Sequence, residues 1–179
     1  MEEQKIKYPM GTLSQVEAQS IGEPGRRTFR LLLDAGNSHC TLWLEKEQLF
    51  QLGIHLRDAL DSLSEEDRGQ ESQHHDGSWS GDGEELDFKA GAMGLSHDKN
   101  ANSFYISAIE RENPEAEAGA EPPISISFWI SLVQAKALAE DALRICASGR
   151  PMCFLCGQPI DPDGHVCPRA NGHTVLETG

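Results

Sequence analysis

The sequence predicts an α+β protein: two strand-strand-strand-helix halves with a mainly antiparallel sheet, followed by a C-terminal zinc knuckle. Three observations carry this. Short apolar runs bounded by turn residues occur in two groups of three. Each group runs into a segment with apolar residues at three- and four-residue spacing. Three of the five cysteines crowd between Cys153 and Cys167.

The first group covers residues 12–21, 27–34 and 39–45. Glu23-Pro24-Gly25 and Asp34-Ala35-Gly36-Asn37 separate its members, since proline presets one backbone angle and glycine accepts the left-handed one. A helix over 46–63 follows, with Leu49, Leu52, Leu56, Leu60 and Leu63 on one face. Residues 64–85 replace aliphatics with Ser, Gly, Glu, Asp and Gln. They read as an acidic linker or loop, in which His74 and His75 face solvent. The second group covers 86–95, 103–109 and 124–130, interrupted by an acidic, proline-bearing stretch at 110–123. A helix over 132–147 then opens on a Ser131/Gln134 capping box and buries Leu132, Ala135, Leu138, Ala139, Ala142, Leu143 and Cys146. The expected organisation is a first half at 1–63, the linker at 64–85, a second half at 86–148 and the tail at 149–179.

The halves echo one another. Trp43, Gln48 and Leu52 correspond to Trp129, Gln134 and Leu138 at a constant offset of 86 positions, which suggests an internal duplication about a pseudo-twofold axis.

The 179-residue chain carries 29 acids against 15 Lys and Arg, a net charge of -14. By segment the net values are -2 for residues 1–63, -11 for 64–123 and -1 for 124–179, so the acidity belongs mostly to the linker and the insert. Clustered cations are scarce, which disfavours nucleic acid as a partner, because tracking phosphates requires them. No apolar run approaches the roughly 20 residues that span a bilayer. The first eight residues lack the apolar stretch of a secretory signal, so a cytoplasmic location is expected.

In the tail, Cys153-Phe154-Leu155-Cys156-Gly157 has the two-residue gap that aims both thiolates at one ion, and Asp163-Gly164-His165-Val166-Cys167-Pro168 adds a second turn. Cys153, Cys156, His165 and Cys167 form a Cys3His set suited to Zn(II), with His173 as the alternative nitrogen donor. Four protein ligands leave no open position, so the metal would be structural. A redox reading of the Cys-x-x-Cys pair is disfavoured because it follows a helix and a proline and lacks a strand-loop-helix setting.

Weaker signals are Arg26 and Arg27, which with Arg30 form the one basic cluster, and His39-Cys40, whose side chains point to opposite faces of a strand. Cys40 and Cys146 read as core thiols. No nucleotide loop, dinucleotide fingerprint or nucleophile elbow is present.

Gly22-Glu23-Pro24-Gly25-Arg26-Arg27-Thr28-Phe29, Gly149-Arg150-Pro151 and the tail motif through Cys167-Pro168-Arg169-Ala170-Asn171-Gly172 resemble the bacterial family catalogued as domain of unknown function number three thousand and ninety, found mainly in Actinobacteria and Chloroflexi. The resemblance spans the chain except for 64–85 and 110–123. It implies cytoplasmic proteins with no activity to transfer, whose genes often lie near a histidine-phosphatase-like and a lipid-kinase-like gene. It also implies His165 as the fourth ligand, because Gly-His-x-Cys-Pro-Arg recurs in the family whereas position 173 is often tyrosine.

The leading expectation is a non-enzymatic protein-interaction or adaptor module with a structural zinc site. The alternative is an enzyme or binding protein for a phosphorylated small molecule, held by Arg26, Arg27 and Arg169. Metal analysis of purified protein is expected to give about one zinc per chain, with Cys156→Ser lowering that figure and exposing the tail to protease. Metal well below one per chain, or an unchanged digestion pattern in the variant, would remove the zinc reading.

Overall fold

The computed structural model describes residues 5–23, 25–79, 85–115, 119 and 121–147. Seven strands and three helices follow in the order β1 (Tyr8–Thr12), β2 (Gln15–Ile21), β3 (Thr28–Ala35), β4 (Ser38–Leu44), α1 (Lys46–Asp61), α2 (Glu65–Gly69), β5 (Glu85–Asp98), β6 (Ser103–Glu110), β7 (Ser125–Ser131) and α3 (Leu132–Ala147). The α+β class holds, with a mixed sheet. The strand row is β1-β7-β6-β5-β4-β3-β2, antiparallel except where β1 meets β7 and β4 meets β5.

Alternation explains the inner face. In β3 and β4, Phe29, Leu31, Leu33, Cys40, Leu42 and Leu44 are buried, while Arg30, Thr41 and Trp43 point the other way. β7 is buried at nearly every position, as its run Ser-Ile-Ser-Phe-Trp-Ile requires. Leu49, Leu52 and Leu56 of α1 join this core, as do Ala135, Leu138, Ala139, Ala142, Ile145 and Cys146 of α3. The two helices pack closely because Gly53 offers no side chain: a Cβ there would lie 3.1 Å from Leu143 Cγ.

The expected first strand, 12–21, is instead two strands. β1 carries Pro9 and an irregular register between Pro9 and Thr12, with Gly11 at φ 77°, features of an edge strand that bends. At the break, Leu13 N–H donates to Trp129 O (2.9 Å) and Ser14 N–H to Asp34 O (2.8 Å). β1 and β2 stand at opposite ends of the row yet are consecutive in the chain, so the sheet curls until its two edges meet at Leu13-Ser14.

This closure reveals how the halves correspond. Arg30 pairs with Trp43 and Gln19 with Arg30, just as Tyr105 pairs with Trp129 and Ser96 with Tyr105. Trp43 also pairs with Lys89, and Trp129 with Thr12. Thr12 to Lys89 and Gln19 to Ser96 are both separated by 77 positions, so β1 and β2 together correspond to β5 alone. β5 likewise pairs with β4 along its start and with β6 along its remainder.

Both long helices begin the same way. The Gln48 side-chain oxygen accepts Glu45 N–H (2.8 Å), and its amide donates to Ala90 O (3.0 Å) and Gly91 O (2.9 Å). The Gln134 oxygen accepts Ser131 N–H (2.9 Å), Ser131 Oγ accepts Gln134 N–H (3.1 Å), and the Gln134 amide donates to Leu13 O (2.9 Å). Each glutamine caps a helix and ties it to the strand lying parallel to the one before it.

Residues 64–79 of the expected linker lie on the body. Ser64 Oγ caps α2 by accepting Asp67 N–H (3.1 Å), and the buried Asn102 donates to Asp67 O (2.7 Å) and Gln70 O (2.8 Å). Thr12 N–H donates to His75 O and Trp79 N–H to Pro9 O. Gly11 is required at this crossing, since a Cβ there would fall 2.3 Å from Gly77 N. His75 is therefore half-buried, whereas His74 is exposed beside Asp76 (3.2 Å).

Gln48→Ala and Gln134→Ala each remove a helix cap and a cross-link, and each is expected to cost about 1–3 kcal/mol in chemical denaturation. Loss of less than about 0.5 kcal/mol in both would show that these residues do not hold the helices to the sheet.

Candidate functional site

The first strand-to-helix junction carries the most concentrated positive charge on the described surface. Residues from the starts of β3 and α1, the end of β4, the middle of β5 and the last turn of α3 enclose a cavity of about 220 Å³. Its wall includes Arg27, Lys46, Lys89 and Arg111 and, among the described residues, one acid, Glu45; Phe29, Leu44, Ala90, Ile145 and Cys146 line it from the core side and Trp43 from the other face of the sheet. In a chain with 15 Lys and Arg and a net charge of -14, four cations at one hollow create a local field opposite to that of the molecule.

Each cation arrives by a backbone device. The turn after Glu23, where Arg26 N–H donates to Glu23 O (2.9 Å), delivers Arg27 to the start of β3. Parallel pairing sets Lys89 beside Trp43. Arg111 N–H donates to Lys89 O (2.8 Å), and the Arg111 guanidinium reaches Glu45 Oε1 (3.3 Å). That pair is half-exposed on both sides, so it is held weakly and leaves the guanidinium available to a ligand. Lys46 opens α1.

The three arginines of the basic cluster separate. Arg27 lines the cavity; Arg26 is exposed on the turn and is not part of its wall. Arg30 lies over the Trp43 ring (5.4 Å to the centroid) and donates from Nε to Gln19 Oε1 (2.9 Å). Lys46, Lys89 and Arg111 come from segments remote in sequence, and no local motif marks them. The larger hollow between α1 and β5, about 690 Å³, contains His55 and His97 among mostly apolar or uncharged neighbours, with Glu47 its one carboxylate.

Cys153, Cys156, His165 and Cys167, with His173 and Arg169, lie outside the described residues. Among the described residues no three His, Cys, Asp or Glu side chains gather as a metal-binding group. No helix among them is long and apolar enough to cross a membrane.

Residues 8–167 match the model of a family described as a protein of unknown function, DUF3090. The chain belongs to that family. No curated protein and no solved structure gives a significant match. The DUF3090 match takes in every residue of the cavity and runs through Cys167, stopping short of His173.

His39 and Cys40 point apart, as strand geometry demands: His39 is bonded to Asp34 across the β3–β4 hairpin, while Cys40 is buried. Burial, and secondarily the charge of Asp87, pushes the Cys40 thiol up to about 12. It is a protonated core thiol, not a nucleophile. Its raised value makes the folded state hold a proton that the unfolded state releases above about pH 9, so stability is expected to fall from pH 9 toward 12. Iodoacetamide labelling of native protein at pH 8, mapped by mass spectrometry, should leave Cys40 unmodified; prompt labelling would refute its assignment as buried thiol.

Proposed function

We propose that this DUF3090 member is a non-enzymatic binding protein for a phosphorylated small molecule, whose anionic group is held in the cavity by Arg27, Lys46, Lys89 and Arg111. The convergence of four cations from four separate segments of the fold carries the reading. Guanidinium forks and ammonium groups at one hollow are what a phosphate dianion needs for charge-assisted hydrogen bonds. The apolar floor lowers the local dielectric and strengthens those bonds. Among the described residues the one thiol of the wall, Cys146, is buried, and Cys40 lies elsewhere.

The reading keeps Arg27 from the basic cluster, replaces Arg26 with Lys46, Lys89 and Arg111, and treats 1–63 and 86–148 as an internal repeat, supported by the shared offsets of 86 and 77. It keeps Zn(II) as a structural ion bound by Cys153, Cys156, His165 and Cys167. Three thiolates and one imidazole suit that ion, and the end of the family match before His173 supports His165. A cytoplasmic location goes with this reading, because metal-binding cysteines stay reduced there. The adaptor reading, with a protein partner, rests on the tail alone; the cavity is a concave site scaled to a small ligand.

Calorimetric titration with inorganic phosphate is expected to show saturable binding that weakens about tenfold in Lys89→Ala and in Arg111→Ala, and falls with added salt. Absence of binding, or binding that both variants leave unchanged, would overturn the anion reading.

A further inference from the structure

The cavity has a counterpart in the second half, and that counterpart is filled. Trp43 and Lys46 correspond to Trp129 and Leu132 at 86 positions and Lys89 to Thr12 at 77, while pairing to the two tryptophans matches Arg30 to Tyr105, and with it Arg27 to Asn102, at 75. At the second site, residues 72–75 occupy the groove. Leu132 N–H donates to Ser72 Oγ (3.2 Å), Ser72 Oγ donates to Asn102 O (2.5 Å), and Thr12 and His75 exchange hydrogen bonds (2.8 Å each). The His75 ring stacks on Trp129 with centroids 3.9 Å apart and planes 16° from parallel, while Tyr105 tilts against the same indole at 5.0 Å.

At the first site the neighbours change in kind. Arg30 takes the place of Tyr105 against the indole, and Trp43 forms part of the cavity wall. Among the described residues, no ring stacks on Trp43 as His75 does on Trp129. The positions that bond to residues 67–75 in the second half, Thr12, Asn102 and Leu132, are all cations in the first. The groove thus pairs a tryptophan platform with an anion cradle.

We infer that the ligand is a flat heteroaromatic ring carrying a phosphate, its ring stacked on Trp43 and its phosphate among Arg27, Lys46, Lys89 and Arg111. This rests on the phosphorylated-ligand reading and adds the ring. The volume agrees: about 220 Å³ is below the roughly 300–1,000 Å³ of pockets for drug-sized ligands, so it suits one ring and one phosphate rather than a dinucleotide. Indole stacking is sequence-tolerant among bases, so the wall selects ring-plus-phosphate over phosphate alone without strong choice of ring.

The test uses the full chain with AMP, ribose 5-phosphate and inorganic phosphate as probes, read by calorimetry and by the three indole N–H signals in NMR. AMP is expected to bind about tenfold more tightly than ribose 5-phosphate and to shift the Trp43 signal while leaving that of Trp129 in place. Trp43→Leu should bring AMP down to the affinity of ribose 5-phosphate without weakening the latter. Equal affinity for AMP and ribose 5-phosphate in the unaltered chain overturns the ring and leaves the anion reading standing. No binding of any probe overturns both. A Trp43 signal that moves when metal is chelated but not when AMP is added would assign the groove to the chain's own residues 148–179, and overturns the ligand inference.

Discussion

The chain crosses between the two edges of its sheet at Leu13 and Ser14, where consecutive amides bond to Trp129 on one side and Asp34 on the other. These two bonds tie the connection between β1 and β2 to β7 on one side and β3 on the other, while the outer edge of β1 is covered by residues 75–79. The connection also curls the sheet, so that alternate side chains of β3, β4, β6 and β7 share one interior with α1 and α3. Gln134 holds the same spot from the helix side by donating to Leu13 O. A single dipeptide thus joins two strand ladders and one helix start.

Its first-half equivalent is the irregular stretch of β5 after Ala90, where the strand passes from β4 to β6 and Gln48 donates to Ala90 O and Gly91 O. The chain solves one geometric problem twice, once with two strands and a break, once with a single long strand. What differs is the use made of the groove beside each junction. The second half spends it on residues 72–75 and the stacked His75, which is structural. The first half lines it with Arg27, Lys46, Lys89 and Arg111 around Trp43, beside the carboxylate of Glu45.

The long helices α1 and α3, the strands β2–β7 and both turns were legible because their signals are local. Leucine spacing marks α1, alternation marks β3 and β4, and Ser131 with Gln134 marks the start of α3. β1 was missed because Pro9 and Gly11 argue against a strand when read alone, and only pairing with β7 makes one of them. The packing of 64–79 was missed for a related reason: its polar composition offers little core, and it is held by hydrogen bonds to Asn102, Thr12 and Pro9 that no local pattern announces. The cavity was only one-quarter visible, through Arg27.

By itself the sequence determined the α+β class, the repeated order of strands and long helices, the Ser131/Gln134 cap and the burial of Cys40, since each follows from periodicity, spacing or residue chemistry within a short window. Tertiary structure alone decided the meeting of the two sheet edges, the filling of one groove by residues 72–75 and the gathering of Lys46, Lys89 and Arg111 around Arg27. Those depend on strand register, and register is set by the balance of the whole sheet, not by any segment of it.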